Sequence, residues 1–279
     1  MKIYASSDIH IDSHEQNFRW WTELYKYCLA NPPDILIIAG DLAETLNSWD
    51  KALQLFKECQ FDCLIVPGNH DLWCRNENLN SEDKLNLALP EICAKYGWIY
   101  LPDGSVKIDN WIFVGSPAWY DYSLMPADHP FTLDDFMSYQ RDGRRWMDGI
   151  YCKWKQFQSP NRDFQLTDYF YNKLEKQLKE ATTDNIFLVT HFPFYTEFLN
   201  FTGTNWNYEY FGAFMGSKKY RELLYKYPIK KHICGHLHRF ARTKVADCDA
   251  YLSPVGYVKE WDGMQVKERL STCLLIIEV

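Results

Sequence analysis

Short runs of β-branched and aliphatic residues alternate along this chain with longer amphipathic stretches. "KIYAS" (2–6), "DILIIAG" (34–40), "CLIVPG" (63–68), "WIFVGS" (111–116), "NIFLVTH" (185–191) and "KHICGH" (231–236) have the length and composition of buried strands. Between the first three, apolar positions recur at spacings of three and four over 15–30 and 48–58, which predicts two helices. The opening is therefore βαβαβ, with right-handed crossovers and neighbouring parallel strands buried on both faces. A later helix is expected over 168–181, where Leu174 and Leu178 share one face and charged residues the other, and another over 217–227. From Val245 onward, "AYLSPVGYV" and "STCLLIIEV" flank a polar turn with Asp262 and Gly263, which predicts a closing antiparallel hairpin.

Residues 118–163 have weak periodicity and many Asp, Arg and Trp residues. They are expected to elaborate a single domain spanning 1–279, because no Pro/Gly/Ser linker divides the chain. With 47% hydrophobic and 24% charged residues the composition is globular, and the formal net charge of -7 disfavours a general nucleic-acid surface or an anionic membrane as partner. No signal-peptide pattern opens the chain and no apolar run reaches the roughly 18 residues of a membrane span, so a cytoplasmic location is expected. Nine cysteines without a CxxC pair read as free thiols, and Cys59 and Cys63 straddle a helix-to-strand change rather than pairing on zinc. The abundant aromatics between Trp111 and Phe214 fit either a ligand-stacking wall or an insertion packed on itself.

The polar residues change this picture, because five apolar strands end in metal-ligand or acid–base side chains. Strand 2–6 runs into Asp8 and His10, strand 34–39 into Gly40 and Asp41, and strand 63–67 into Asn69, His70 and Asp71. Strand 185–190 ends at His191, and strand 231–234 at His236 and His238. Gly68-Asn69 alone is ordinary turn chemistry. In open α/β sheets, however, ligands bind beyond the carboxyl ends of strands, and residues two apart on extended backbone project to one side.

"SDIH" (7–10), "GDLAE" (40–44), "GNHD" (68–71), "TH" (190–191) and "GHLH" (235–238) resemble, in order, the five motifs of the calcineurin-like metallophosphoesterase family. That resemblance implies an α/β fold, a four-layer αββα sandwich of two mixed β-sheets flanked by helices, around a two-metal site. It implies that Asp8, His10 and His238 hold one metal, that Asn69, His191 and His236 hold the other, and that Asp41 bridges them. His70 would contact the phosphate and assist the leaving group, and Asp71 would orient His70. Glu44 departs from the aspartate that many relatives carry after "GDxx".

Mixed imidazole, carboxylate and amide ligands suit Mn, Fe or Zn better than Ca or Mg. Two dications about 3.5–4 Å apart require a bridging carboxylate, and together they lower the pKa of a bridging water toward about neutrality. The expected reaction is hydrolysis of a phosphomonoester or phosphodiester by direct attack of a metal-bridging hydroxide, with a nucleotide or other small organic phosphate as substrate. Gly68 would let a metal approach the backbone. A protein phosphatase or a nuclease would use the same site, and a non-catalytic scaffold is a rival of another class.

Around the metals, Arg75, Trp119 and Tyr120 are candidate substrate contacts, with Arg141, Arg144 and Arg145 as further anion binders. Residues 192–214 would form a mobile aromatic rim or a rigid surface loop. His14, His129 and His232 have no motif position and read as surface or structural residues, and Cys74 has no partner to make it a nucleophile. The oligomeric state is not legible.

Overall fold

The structure is a computed structural model describing residues 1–75, 78–157, 160–182 and 185–279. The chain opens with β1 (Lys2–Ser6), the helix Glu15–Ala30, β2 (Ile35–Ala39), the helix Leu46–Gln54 and β3 (Asp62–Val66), as the periodicity predicts. His14 caps the first helix through Nδ1 and Thr45 caps the second, each accepting a backbone N–H that the helix start leaves unpaired. A short β4 (Ile99–Tyr100) completes the parallel run β1-β2-β3-β4.

The second sheet begins with β5 (Val106–Ile108) and β6 (Trp111–Ser116). An insertion follows, with the small hairpin β7 (Gln140–Arg141) and β8 (Arg144–Arg145) and the single turn Asp148–Tyr151. After the helix Arg162–Glu180 come β9 (Ile186–Thr190), β10 (Ile229–Cys234), β11 (Ala241–Val245) and β12 (Cys248–Leu252). The sheet order is β11-β12-β10-β9-β6-β5, mixed parallel and antiparallel.

Alternation along the strands explains the layering. Ile35, Ile37 and Ala39 of β2 join Ile3, Leu64, Phe113, Phe187, Val189 and Ile233 in a core between the sheets. Leu36 and Ile38, pointing the other way, pack with Trp20, Trp21, Leu24, Trp49 and Leu53 of the flanking helices. The result is two mixed sheets face to face with helices outside. Over 217–227 the expected helix is two short pieces, Lys218–Glu222 and Leu223–Lys226.

The expected closing hairpin does not form. β12 stays in the second sheet, the segment Val266–Cys273 is a helix packed on Glu15–Ala30, and β13 (Leu275–Glu278) pairs antiparallel with β1 in the first sheet. An eight-residue stretch with Arg269, Leu270 and Cys273 on one face cannot be told from a strand by periodicity alone. The open edge of β1 supplies backbone partners that a local hairpin would otherwise provide. Among the described residues, no helix is long and apolar enough to cross a membrane. All nine cysteines are free thiols.

Candidate dinuclear metal centre

The carboxyl ends of β1, β2, β3, β9 and β10 meet at one edge of the sandwich. There Asp8, His10, Asp41 and His236 all adopt left-handed backbone, with φ of 53°, 47°, 54° and 71°. Such strain costs on the order of 1–3 kcal/mol per residue and persists where surrounding structure dictates it. Backbone hydrogen bonds do so here: the N–H of Asp8 donates to Gly40 and that of His10 to Asp41, each over 2.9 Å. Gly40 (φ 88°) lies so close to His191 that a Cβ would stand 2.4 Å from its Nδ1.

Seven side chains from these five strand ends converge; six are buried and His238 is partly exposed. The ligand atoms of Asp8, His10 and His238 fall within 4.8 Å of one another, as do those of Asp41, His191 and His236. His10 Nε2 is 3.2 Å from His238 Nε2, and Asn69 Oδ1 is 3.0 Å from His191 Nε2 and 3.2 Å from His236 Nδ1. Asp41 stands between the groups: Oδ2 is 3.8 Å from His10 Nε2 and 3.4 Å from His191 Nε2, while Oδ1 accepts the N–H of His70 over 2.9 Å.

The tautomers fit metal binding. His191 Nδ1–H donates to the Ala39 carbonyl (3.0 Å) and His238 Nδ1–H to the Glu260 carboxylate (2.8 Å), so both rings turn an Nε2 lone pair inward. There these lone pairs meet Asn69 Oδ1 and the Asp8 and Asp41 carboxylates, a set of acceptors that a bound cation would satisfy. The protein groups alone draw protons into that position. Burial opposes it, but the Asp41 charge raises His191 to about 9, and Asp8 and Glu260 raise His238 to about 10. Burial and the neighbouring His70 push His10 well down, and burial with His191 brings His236 to about 3. Borderline divalent ions match this nitrogen and oxygen donor set.

His70 stacks on Trp73 with ring centroids 3.7 Å apart, and its Nε2 lies 3.5 Å from the Tyr257 hydroxyl. Asp71 does not orient it. Its buried carboxylate accepts from the backbone N–H groups of Asp41 (2.8 Å), Ala43 (2.9 Å) and Gly68 (2.7 Å) and from Trp49 Nε1 (2.7 Å). Asp71 thus ties the β2 loop to the β3 loop. Burial and the Asp41 charge push it up to about 7, while these four donors favour its ionised form. The reason for Gly68 also differs from expectation: a Cβ there would stand 2.1 Å from Asp41 Oδ1, so it is the carboxylate that needs the room.

A cavity of about 470 Å³ opens over this edge, lined by Asp41, Asn69, His70, His236 and His238 and walled by Trp73, Trp146, Tyr208, Tyr257 and Arg145. Trp119 and Tyr120 do not border it. Both are fully buried, stacked on each other with centroids 5.0 Å apart, and Trp119 Nε1 donates to Asp163. Rings following a strand in a long insertion can close its own core as readily as line a pocket. Arg75 sits over the Tyr151 ring, 3.3 Å from Glu44, beside an adjoining groove that also touches His10 and His70. Of the arginine cluster, Arg145 reaches the main cavity, while Arg141 and Arg144 line a neighbouring depression. In the segment 192–214, Tyr208 lines the cavity, whereas Phe192, Phe194, Tyr195, Phe198, Tyr210 and Phe214 are buried.

Four features of the site left no mark in the sequence pattern: Glu260 on His238, Tyr257 stacked on His10 (4.6 Å), Trp73 under His70, and Asp148 on Asn69. None lies one step past an apolar strand. His232, expected as surface or structural, is fully buried between Thr190 and Tyr195. His129 accepts the Phe131 N–H.

The model of the calcineurin-like phosphoesterase family matches residues 1–240. A Mycobacterium tuberculosis protein, [acyl-carrier-protein] phosphodiesterase PptH, is 30% identical over 134 residues; the match spans 44% of this chain and only 39% of that relative's length. The crystal structure of phosphopantetheinyl hydrolase PptH from the same organism superposes with a TM-score of 0.74 at 22% identity, covering 99% of this chain and 95% of that one. A dimetal phosphatase from Danio rerio aligns with a TM-score of 0.53 at 12% identity, over 90% of this chain and 86% of that one. The strand-end cage and the family match over most of the chain lead to one conclusion: this chain belongs to the calcineurin-like phosphoesterase family.

Proposed function

We propose that the chain is a phosphodiesterase acting on a small organic phosphodiester, and that a phosphopantetheine-type diester on a carrier protein is the first substrate to test. The observation that carries the reading is Asp41 Oδ2, one carboxylate oxygen shared between the His10 side and the His191 side of the cage. Among the described residues lining the cavity, Arg145 is the one arginine or lysine, which suits a singly charged diester better than a doubly charged monoester. The PptH relative, named as a phosphodiesterase of acyl carrier protein, supports the same choice.

Asp8, His10 and His238 would hold one ion, Asn69, His191 and His236 the other, with Asp41 common to both. Two divalent ions so held would polarise a phosphoryl oxygen and bring the pKa of water to about 7. His70, on its Trp73 platform at the cavity wall, would donate a hydrogen bond to the phosphate and pass a proton to the departing alkoxide as the phosphorus–oxygen bond breaks. Trp73, Trp146, Tyr208 and Tyr257 would hold the organic substituents and exclude water.

Hydrolysis of bis(p-nitrophenyl) phosphate and p-nitrophenyl phosphate, each with Mn, Fe or Zn, tests this. The reading expects the diester to be preferred, with His70→Ala lowering kcat by roughly 10²–10⁴-fold. Preference for the monoester would replace it with a phosphomonoesterase. Incubation with holo-acyl carrier protein, followed by mass spectrometry, then asks whether the prosthetic arm is released.

A further inference from the structure

We propose that Asp148 is a positioning residue that aligns both halves of the reaction centre, the ligand Asn69 and the donor His70; the inference rests on the two-metal reading above. Asp148 comes from the insertion rather than from any motif, and it is fully buried. Its Oδ1 accepts from Asn69 Nδ2 over 2.9 Å and from Trp73 Nε1 over 2.7 Å, and its Oδ2 accepts from Trp146 Nε1 over 2.9 Å. Each donor leads to a different part of the site.

An asparagine amide is nearly symmetric in shape, so packing alone does not decide which end faces the cage. A carboxylate only accepts, and one placed 2.9 Å from the amide selects the NH2 end for itself. That leaves Asn69 Oδ1 turned toward His191 Nε2 and His236 Nδ1. The opposite flip would aim N–H groups at a cation. Trp73, anchored on the same oxygen, carries His70 on its ring face at 3.7 Å, and Trp146 stands edge-on to His236 at 5.7 Å. One buried acid thus sets the amide of a ligand, the platform of the proton donor and the ring beside a second ligand.

The test compares wild type with Asp148→Asn and Trp73→Phe. Wild type binding two Mn per chain, seen as an exchange-coupled pair by electron paramagnetic resonance, tests the cage itself and separates its failure from that of Asp148. Asp148→Asn is expected to weaken one of the two Mn sites by roughly 10–100-fold, giving the signal of isolated Mn, and to lower kcat with KM for bis(p-nitrophenyl) phosphate little changed. Trp73→Phe, which keeps the ring and removes the indole donor, is expected to keep both Mn sites and lose kcat. If Asp148→Asn does not fold, Trp73→Phe still tests the His70 arm. An Asp148→Asn protein with a lower melting temperature but both Mn sites and wild-type kcat, or a Trp73→Phe protein with wild-type kcat, would overturn the proposal.

Discussion

His238 Nδ1–H donates to the Glu260 carboxylate over 2.8 Å, and the same carboxylate oxygen accepts the Tyr257 N–H over 2.8 Å. Glu260 therefore fixes the tautomer that turns His238 Nε2 toward Asp8, 3.5 Å away. Glu260→Gln leaves the shape but removes the charge and permits the amide to turn its NH2 toward the imidazole. Metal affinity on the Asp8 side is expected to fall roughly 10–100-fold. Titration of the metal-free protein with Mn checks this, and two sites of wild-type affinity would contradict it.

Gly68 is hemmed in by the Asp41 backbone N and the His191 ring as well as by the Asp41 carboxylate, the two former each 2.7 Å from a Cβ position. Gly68→Ala is expected to cost about 1–3 kcal/mol from overpacking and to reduce metal content, because the group that must move is the shared carboxylate. Thermal melts with and without Mn, together with metal analysis, would show it. Normal metal content would mean that Asp41 tolerates the displacement.

His232 is held neutral. Thr190 Oγ donates to the Phe192 carbonyl, so it accepts from His232 Nε2–H, while His232 Nδ1 accepts from the Tyr195 hydroxyl. Burial lowers His232 to about 3. The unfolded chain takes up a proton as pH falls through about 6.5 and the folded chain does not. Its contribution is therefore intact above about pH 6.5 and is lost progressively toward pH 3, with about 2 kcal/mol gone by pH 5. Urea unfolding at pH 7 and pH 5 should show a smaller acid loss in His232→Gln than in wild type; equal losses would assign the acid limb to other groups.

Trp119 is a core residue whose indole N–H meets Asp163 over 3.1 Å. Trp119→Phe is expected to lower stability by about 1–3 kcal/mol with KM for small diesters unchanged. A raised KM with normal stability would return this residue to the pocket wall.

The convergence at the strand ends was legible because histidine, aspartate and asparagine stand where packing wants none, as a cage for divalent ions would require, and Asp8, His10, Asp41, Asn69, His191, His236 and His238 each follow an apolar run. The parallel core was legible for a related reason: strands buried on both faces, such as Ile35–Ala39, are apolar throughout. What supports the cage was not. Any carboxylate can accept a hydrogen bond, so nothing local marks Glu260 or Asp148 out from the other acidic residues. Asp71 stands next to His70 in sequence but spends its oxygens on backbone N–H groups, and Trp119 faces other rings rather than the cavity. The destination of the last strand, beside β1 instead of β12, likewise rested on an open edge at the other end of the chain. Residue type and periodicity specify which chemistry a position can offer and which face it presents. Only the folded chain decides what stands opposite, because that contact joins segments whose local patterns carry no information about each other.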